Sequence, residues 1–153
     1  ALCEMPNRRA LKAAMNKAHS RRQPMALAFI DLDGFKAVND NFGHDVGDVA
    51  LKTITHCIMK EIRKTDTLAR WGGEEFVVLV SAENREMLAG IGERLRAMVE
   101  CSSLDTEKGV LRVTASFGGA LQRPGENLTD TVKRADSLMY ASKENGRNRV
   151  TVE

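Results

Sequence analysis

Gly72-Gly73-Glu74-Glu75-Phe76 stands between two apolar runs, Leu68-Ala69-Arg70-Trp71 before it and Phe76-Val77-Val78-Leu79-Val80 after it. Aromatic and β-branched residues interrupted by paired glycines read as two strands joined in a hairpin. The hairpin end carries two carboxylates. A glycine has no Cβ, so a phosphate can come close to its backbone N–H, and adjacent glutamates project to different faces where they can offer oxygen to a divalent cation. That combination suits a nucleotide. A solvated turn, with glycine supplying the bend and glutamate the charge, uses the same five residues, so the neighbouring chain must decide.

A second acidic pair lies upstream. Met25-Ala26-Leu27-Ala28-Phe29-Ile30 is a continuous apolar run, the pattern of a strand buried on both faces, and it ends in Asp31-Leu32-Asp33-Gly34. If the two strands are neighbours, their carboxylates gather at one sheet end and suit Mg²⁺, which bridges phosphates and lowers the pKa of an attacking hydroxyl. Helix capping and loop solvation are the other uses open to Asp31 and Asp33.

Around these strands the pattern is helical. Ala10 to Ala18 reads as a first helix, and Phe35 to Asn41 as a short one before a Phe42-Gly43-His44 turn. From Asp45, as N-cap, Val46, Val49, Ala50, Thr53, Ile54, Cys57, Ile58 and Ile62 share one helical face. Asn84 caps a helix with Met87, Leu88, Ile91, Leu95, Met98 and Val99 on a face, and Val110 to Gly118 reads as a strand. A last helix begins at Thr129 or Asp130 and stops near Gly146, and Arg149 to Val152 fits a closing edge strand. The order predicts an α+β fold, a sheet covered by helices with at least one antiparallel pair.

With 153 residues, 42% hydrophobic and 29% charged, the chain is expected to form a single domain over 1–153. The net charge is +2 with scattered basic residues, and 5% aromatics with one Trp leave no stacking platform, so nucleic acid is not an expected partner. No apolar run approaches the ~18 residues of a membrane span, so no membrane contact by this domain is expected. Cys3, Cys57 and Cys101 are widely spaced without a CxxC pair, against a disulfide framework or zinc site and in keeping with a cytoplasmic location. His19, His44 and His56 lack metal-ligand spacing, and no Ser/His/Asp order suggests a covalent nucleophile. A chain opening on Ala1 is expected to be a piece of a longer sensor protein, which leaves room for a membrane anchor outside it.

Other candidates read two ways. Asn39 and Asp48 can read the donor edge of a guanine, while Asp45 and Asp48 equally suit a helix start. Lys143 and Arg147 suit phosphate or the C-terminal dipole of the last helix, and Arg63 with Asp66 is an i, i+3 pair worth at most ~1 kcal/mol on a surface.

Taken in order, these motifs resemble the GGDEF family of diguanylate cyclases, in its Gly-Gly-Glu-Glu-Phe variant. The likeness covers Asn7-Arg8-Arg9, Asp31-Leu32-Asp33-Gly34-Phe35-Lys36, Asn39-Asp40, Phe42-Gly43-His44, Gly47-Asp48 and Arg70-Trp71 with the signature. It continues through Arg134-Ala135-Asp136, Leu138-Met139-Tyr140, Lys143 and Gly146-Arg147-Asn148-Arg149. The resemblance implies a ferredoxin-like palm related to adenylyl cyclases, with a mixed central sheet of about five strands wrapped by helices. It implies a reaction in which two GTP, one on each subunit of an antiparallel homodimer, condense to cyclic di-GMP and pyrophosphate. By the family pattern Asp31, Glu74, Glu75 and the Leu32 carbonyl bind Mg²⁺, with Mn²⁺ as an alternative, and one of the two glutamates also activates the 3′-hydroxyl.

The same resemblance assigns Gly72, Gly73, Lys143, Arg147 and the backbone from Asp33 through Phe35 to Lys36 to the phosphates, and Asn39 and Asp48 to guanine. Arg63-x-x-Asp66, with Arg94 on the next helix, matches a product-binding inhibitory site. The alternative is a catalytically weak or inactive module that binds cyclic di-GMP or GTP as a sensor. It draws on one departure: Cys3 and Glu4 stand in the Leu2-Cys3-Glu4-Met5 turn where Thr and Gly are usual. A left-handed backbone there would cost glutamate ~1 kcal/mol or more, so reduced activity is expected.

Overall fold

The computed structural model describes residues 6–153. The turn around Cys3 and Glu4 therefore lies outside the described residues. The chain runs α1 (Arg8–Ser20), β1 (Met25–Leu32), α2 (Phe35–Phe42), α3 (His44–Glu61), β2 (Thr67–Arg70), β3 (Glu75–Ser81) and α4 (Arg85–Cys101). There follow β4 (Ser103–Thr106), β5 (Gly109–Arg112), β6 (Ala115–Leu121), α5 (Leu128–Glu144) and β7 (Val150–Val152).

Five strands form the main sheet in the order β2-β3-β1-β6-β7. β1 lies at its centre, antiparallel to both β3 and β6, while β7 adds parallel to β6. Leaving β7 aside, β1-α-β2-β3-α-β6 is a βαββαβ arrangement, so the α+β, ferredoxin-like expectation holds. The continuous apolar runs have a direct cause. Alternate residues of β1 and β3 face opposite sides, and both sides are covered. Ala26, Ile30, Val78 and Val80 pack with α2, α3 and α4 through residues such as Val38, Ile54, Ile58 and Leu95. Leu27, Phe29, Val77 and Leu79 pack with α1 and α5 through Leu11, Met15, Val132 and Met139. Close approach of α5 depends on Gly118, where a Cβ would collide with the backbone at Ala135 and Met139. That contact sets how closely the middle of α5 lies on the sheet.

Three boundaries differ from expectation. The stretch from Val110 to Gly118 is not one strand: β4 and β5 form a separate two-stranded ribbon, and β6 begins only at Ala115. The break falls where the Thr114 carbonyl and hydroxyl turn to Asp33, at 2.8 and 2.7 Å, and leave the ribbon's ladder. α3 is capped by Gly43 rather than Asp45, which lies in its first turn. α5 starts at Leu128 because the Asn127 side chain accepts from the Asp130 N–H at 2.9 Å. Among the described residues no helix is long and apolar enough to cross a membrane.

Candidate active site

The sheet register brings the two acidic pairs together. Asp31 is the direct antiparallel partner of Glu75 on one side and of Ser116 on the other. Directly paired residues point to the same face, here the face covered by α5. The turn between β2 and β3 is closed by the N–H groups of Trp71 and Gly72, which donate to the Glu75 carbonyl at 2.8 and 3.2 Å. Arg70 braces it from outside, its guanidinium donating to the Gly72 and Gly73 carbonyls at 3.0 and 2.9 Å. Neither glycine has a positive φ. A Cβ on Gly72 would press on the flexible end of Glu75, 2.6 Å from Oε1, and displace that carboxylate, whereas Gly73 faces open space. The Gly72 N–H is thus already engaged, and Gly73 is the glycine a phosphate can approach.

Asp31 and Asp33, two residues apart, are held very differently. Asp33 accepts from Thr114 Oγ1 and Ser116 Oγ, both at 2.7 Å, from the Asn148 N–H at 3.0 Å and from Lys143 Nζ at 3.4 Å. Its lone pairs are spoken for. Asp31 has Lys143 Nζ at 3.5 Å from Oδ2, and its Oδ1 is buried with no hydrogen-bond partner. Burial pushes the Asp31 carboxyl up to about 6, against the opposing attraction of Lys143, with Glu74 and Glu75 adding repulsion. The Glu75 carboxyl is also raised, first by burial and then by repulsion from Asp136 and Glu74, with Arg8 and Lys143 acting the other way. Asp136 on α5 is itself raised by burial.

A cation fits this arrangement as a partly protein-made site. Asp31 with its orphaned oxygen, Glu75 opposite it and the Leu32 carbonyl offer oxygen, the donor type that hard divalent cations take. Among the described residues no three His, Cys, Asp or Glu side chains converge as a ready cage, and Glu74 contributes to the fold by accepting the Leu32 N–H at its carbonyl, 3.4 Å away. One or two carboxylates completed by substrate phosphates is the usual manner of Mg²⁺.

The remaining predicted residues lie in three places. Phe35 and Lys36 open α2, whose N-cap Gly34 is left-handed at φ 65° and provides no side-chain cap, so first-turn amides stay open. The Phe35 side chain is in the core, which leaves only its backbone for a ligand. Asn39 and Asp48 both lie at the α2–α3 corner, where the Asn39 side chain lies over Gly47, the residue before Asp48, and a Cβ there would collide with it. Lys143 neutralises the two aspartates, and Arg147 is exposed at φ 63°. Arg63 and Asp66 share a turn before β2: the Arg63 N–H donates to Asp66 Oδ2 at 3.0 Å, and Asp66 Oδ1 is buried without a partner. Arg94 does not join them, being paired with Glu61 at 3.3 Å.

Sequence reading quoted Arg8, Arg70 and Asp136 within its motifs without giving them a role, and it missed Thr114 and Ser116. Arg8 lies 4.0 Å over the Trp71 ring and donates to the Trp71 carbonyl at 3.0 Å. Thr114 and Ser116 are marked only by their bonds to Asp33 across the fold.

Residues 1–149 match the family described as "Diguanylate cyclase, GGDEF domain". Diguanylate cyclase A of Treponema denticola is 36% identical over 139 residues, covering 90% of this chain and 38% of its own length. This chain spans about half or less of the curated relatives it matches. Among solved structures, diguanylate cyclase SiaD of Pseudomonas aeruginosa, in complex with its activator SiaC, superposes with a TM-score of 0.92 at 36% identity, over 99% of this chain and 60% of that one. The GGDEF domain of DgcB from Caulobacter crescentus, in complex with c-di-GMP, gives 0.89 at 33% identity, over 99% and 93%.

Proposed function

The chain belongs to the GGDEF family of diguanylate cyclase domains, and on that footing we propose that it condenses two GTP to cyclic di-GMP and pyrophosphate. The observation that carries this reading is the pairing of Asp31 with Glu75 beside Lys143, where one buried carboxylate oxygen has no partner. Each subunit of an antiparallel homodimer holds one GTP, and the domain, 1–153, is the output unit of a longer sensor protein.

Asn39 and Asp48 accept from and orient the guanine edge at the α2–α3 corner. Gly73, the opening amides of α2, Lys143 and Arg147 take the phosphates. Asp31, Glu75 and the Leu32 carbonyl hold Mg²⁺, with Mn²⁺ serving in its place, and Glu74 adds negative charge beside them. When bound, the cation offsets phosphate charge and lowers the pKa of the attacking 3′-hydroxyl. Glu75, whose carboxyl is already raised by burial and by Asp136, is the better suited of the two glutamates to accept that proton. Product inhibition runs through the exposed Arg63 guanidinium, with Asp66 fixing the Arg63 turn, and recruits Arg94 only if it leaves Glu61.

The test is conversion of α-labelled GTP with Mg²⁺ over a range of protein concentrations, wild type beside Glu75→Ala, with cyclic di-GMP binding followed separately. Specific activity is expected to rise with protein concentration, and product to vanish in the variant. No product at any concentration, with tight cyclic di-GMP binding lost in Arg63→Ala, would establish the sensor reading instead.

A further inference from the structure

The loop after α5 holds an arginine in a backbone conformation that arginine does not favour. Gly146, Arg147 and Asn148 take φ values of 124°, 63° and 46° in succession. Glycine adopts such values freely and asparagine tolerates them, but an arginine there is strained and must be held by its surroundings. From the sheet side, the Asn148 N–H donates to Asp33 Oδ2 at 3.0 Å, and the Arg147 N–H donates to the Ser142 carbonyl at 2.9 Å. From the other side the Asn148 side chain is gripped by α4. Its Oδ1 accepts from Arg96 Nη1 at 2.8 Å, and its Nδ2 donates to Glu100.

Arg96 is not an ordinary surface ion pair. Only 14% of its side chain is exposed, and its guanidinium is fixed by Glu93 at 2.5 and 3.0 Å and by Glu100 at 3.0 Å. A planar guanidinium locked on two sides presents its remaining donor in a defined direction. That donor meets Asn148. Meanwhile, among the described residues, the Arg147 guanidinium has no hydrogen-bond or ion-pair partner.

We propose that Arg96, acting through Asn148, is a positioning residue for the substrate's terminal phosphates: it holds the Gly146–Asn148 loop in the left-handed conformation that leaves Arg147 free to reach them. The inference rests on the GTP site proposed above. It makes the face of α4 that carries Arg96 part of triphosphate recognition, although that face touches no reacting atom.

The experiment measures affinity for a non-reactive GTP analogue and for GMP, which has no β- or γ-phosphate, at fixed Mg²⁺, in wild type, Arg96→Met, Asn148→Gly and the double variant. Asn148→Gly keeps the left-handed backbone and the N–H to Asp33 and removes only the grip of α4. Each single variant is expected to weaken the analogue about tenfold, the size of one charge-assisted contact, with GMP unchanged within about twofold. The double variant should lose no more than either single one, as expected for residues acting through one contact. Unchanged analogue affinity, equal losses for both nucleotides, or additive losses would each overturn the inference. Because affinity is read without turnover, a wild type that binds the analogue yet forms no cyclic dinucleotide overturns the cyclase reading alone.

Discussion

Asp31→Asn is expected to make the metal-free protein more stable at neutral pH while ending catalysis. The Asp31 side chain is 16% exposed and one oxygen has no partner, and burial pushes its carboxyl up to about 6 from 3.8. A carboxyl raised in the folded state binds its proton more tightly there than in the unfolded chain. Below about pH 4 both states are protonated and nothing is lost; between about 4 and 6 the ionised folded form becomes progressively costlier; above about 6 the cost is complete. About two pKa units correspond to about 3 kcal/mol, which solvent reaching the site reduces to about 1–2 kcal/mol. Asparagine carries no charge at any pH, and Lys143 keeps Asp33 at 3.4 Å. The variant should therefore exceed wild type by about 1–2 kcal/mol at pH 7.5, roughly 2–8 °C in Tm for a domain of this size, with the excess gone by pH 4. Thermal and urea unfolding in EDTA at pH 4, 5, 6 and 7.5 measure it. Mg²⁺ with a GTP analogue should raise the Tm of wild type and not of the variant. An Asp31→Asn protein no more stable at pH 7.5, or an excess unchanged at pH 4, would refute the idea that Asp31 is held ionised against its burial.

Two further outcomes follow from other contacts. Gly47→Ala places a Cβ against the flexible end of Asn39, so the fold should survive while the proposed guanine reader is displaced; GTP KM is expected to rise about tenfold with little change in Tm, and an unchanged KM would remove Asn39 from base recognition. Glu126 is held down at about 2, chiefly by Arg134, with the Arg123 N–H and Thr131 assisting, and its side chain is 10% exposed. A depressed carboxyl contributes stability that is complete above about pH 4.5 and is lost as pH falls to about 2. Discounted for solvent reaching the pair, that contribution is about 1–2 kcal/mol, so Glu126→Gln should be destabilised by a similar amount at pH 7 and show a flatter acid-unfolding profile. Equal acid slopes in the two proteins would count against the pairing.

How much was legible depended on whether a feature was local. β1 and β3 were readable because both faces of the sheet are covered, which writes an unbroken apolar run into the sequence. Asn84 was readable as a cap because its bond to the Met87 N–H spans three residues. The β5–β6 break was not, since Val110 to Phe117 holds no glycine, proline, asparagine or aspartate to mark a turn and the interruption comes from Asp33, far away in the chain. Glu93, Arg96 and Glu100 do announce themselves as an i, i+3 and i, i+4 ion network on one helix, yet nothing local says that the network ends on Asn148, 52 residues later.

The pair Asp31-x-Asp33 shows where residue spacing stops being informative. A period of two places both carboxylates on one face at one strand end, which is why they read as joint candidates for a cation. Their difference lies entirely in donors supplied by other elements. Thr114, Ser116, Asn148 and Lys143 satisfy Asp33, while Asp31 has Lys143 alone. A carboxylate with satisfied lone pairs gains little from a metal and anchors structure; one with a buried orphan oxygen pays for its place until a cation or proton arrives. Lys143 lies between the two and offsets charge on both, 3.5 Å from Asp31 and 3.4 Å from Asp33. In the site proposed above, a cation on Asp31 would release that half of the ammonium's pairing toward a phosphate, and Asp33 would remain its fixed second partner.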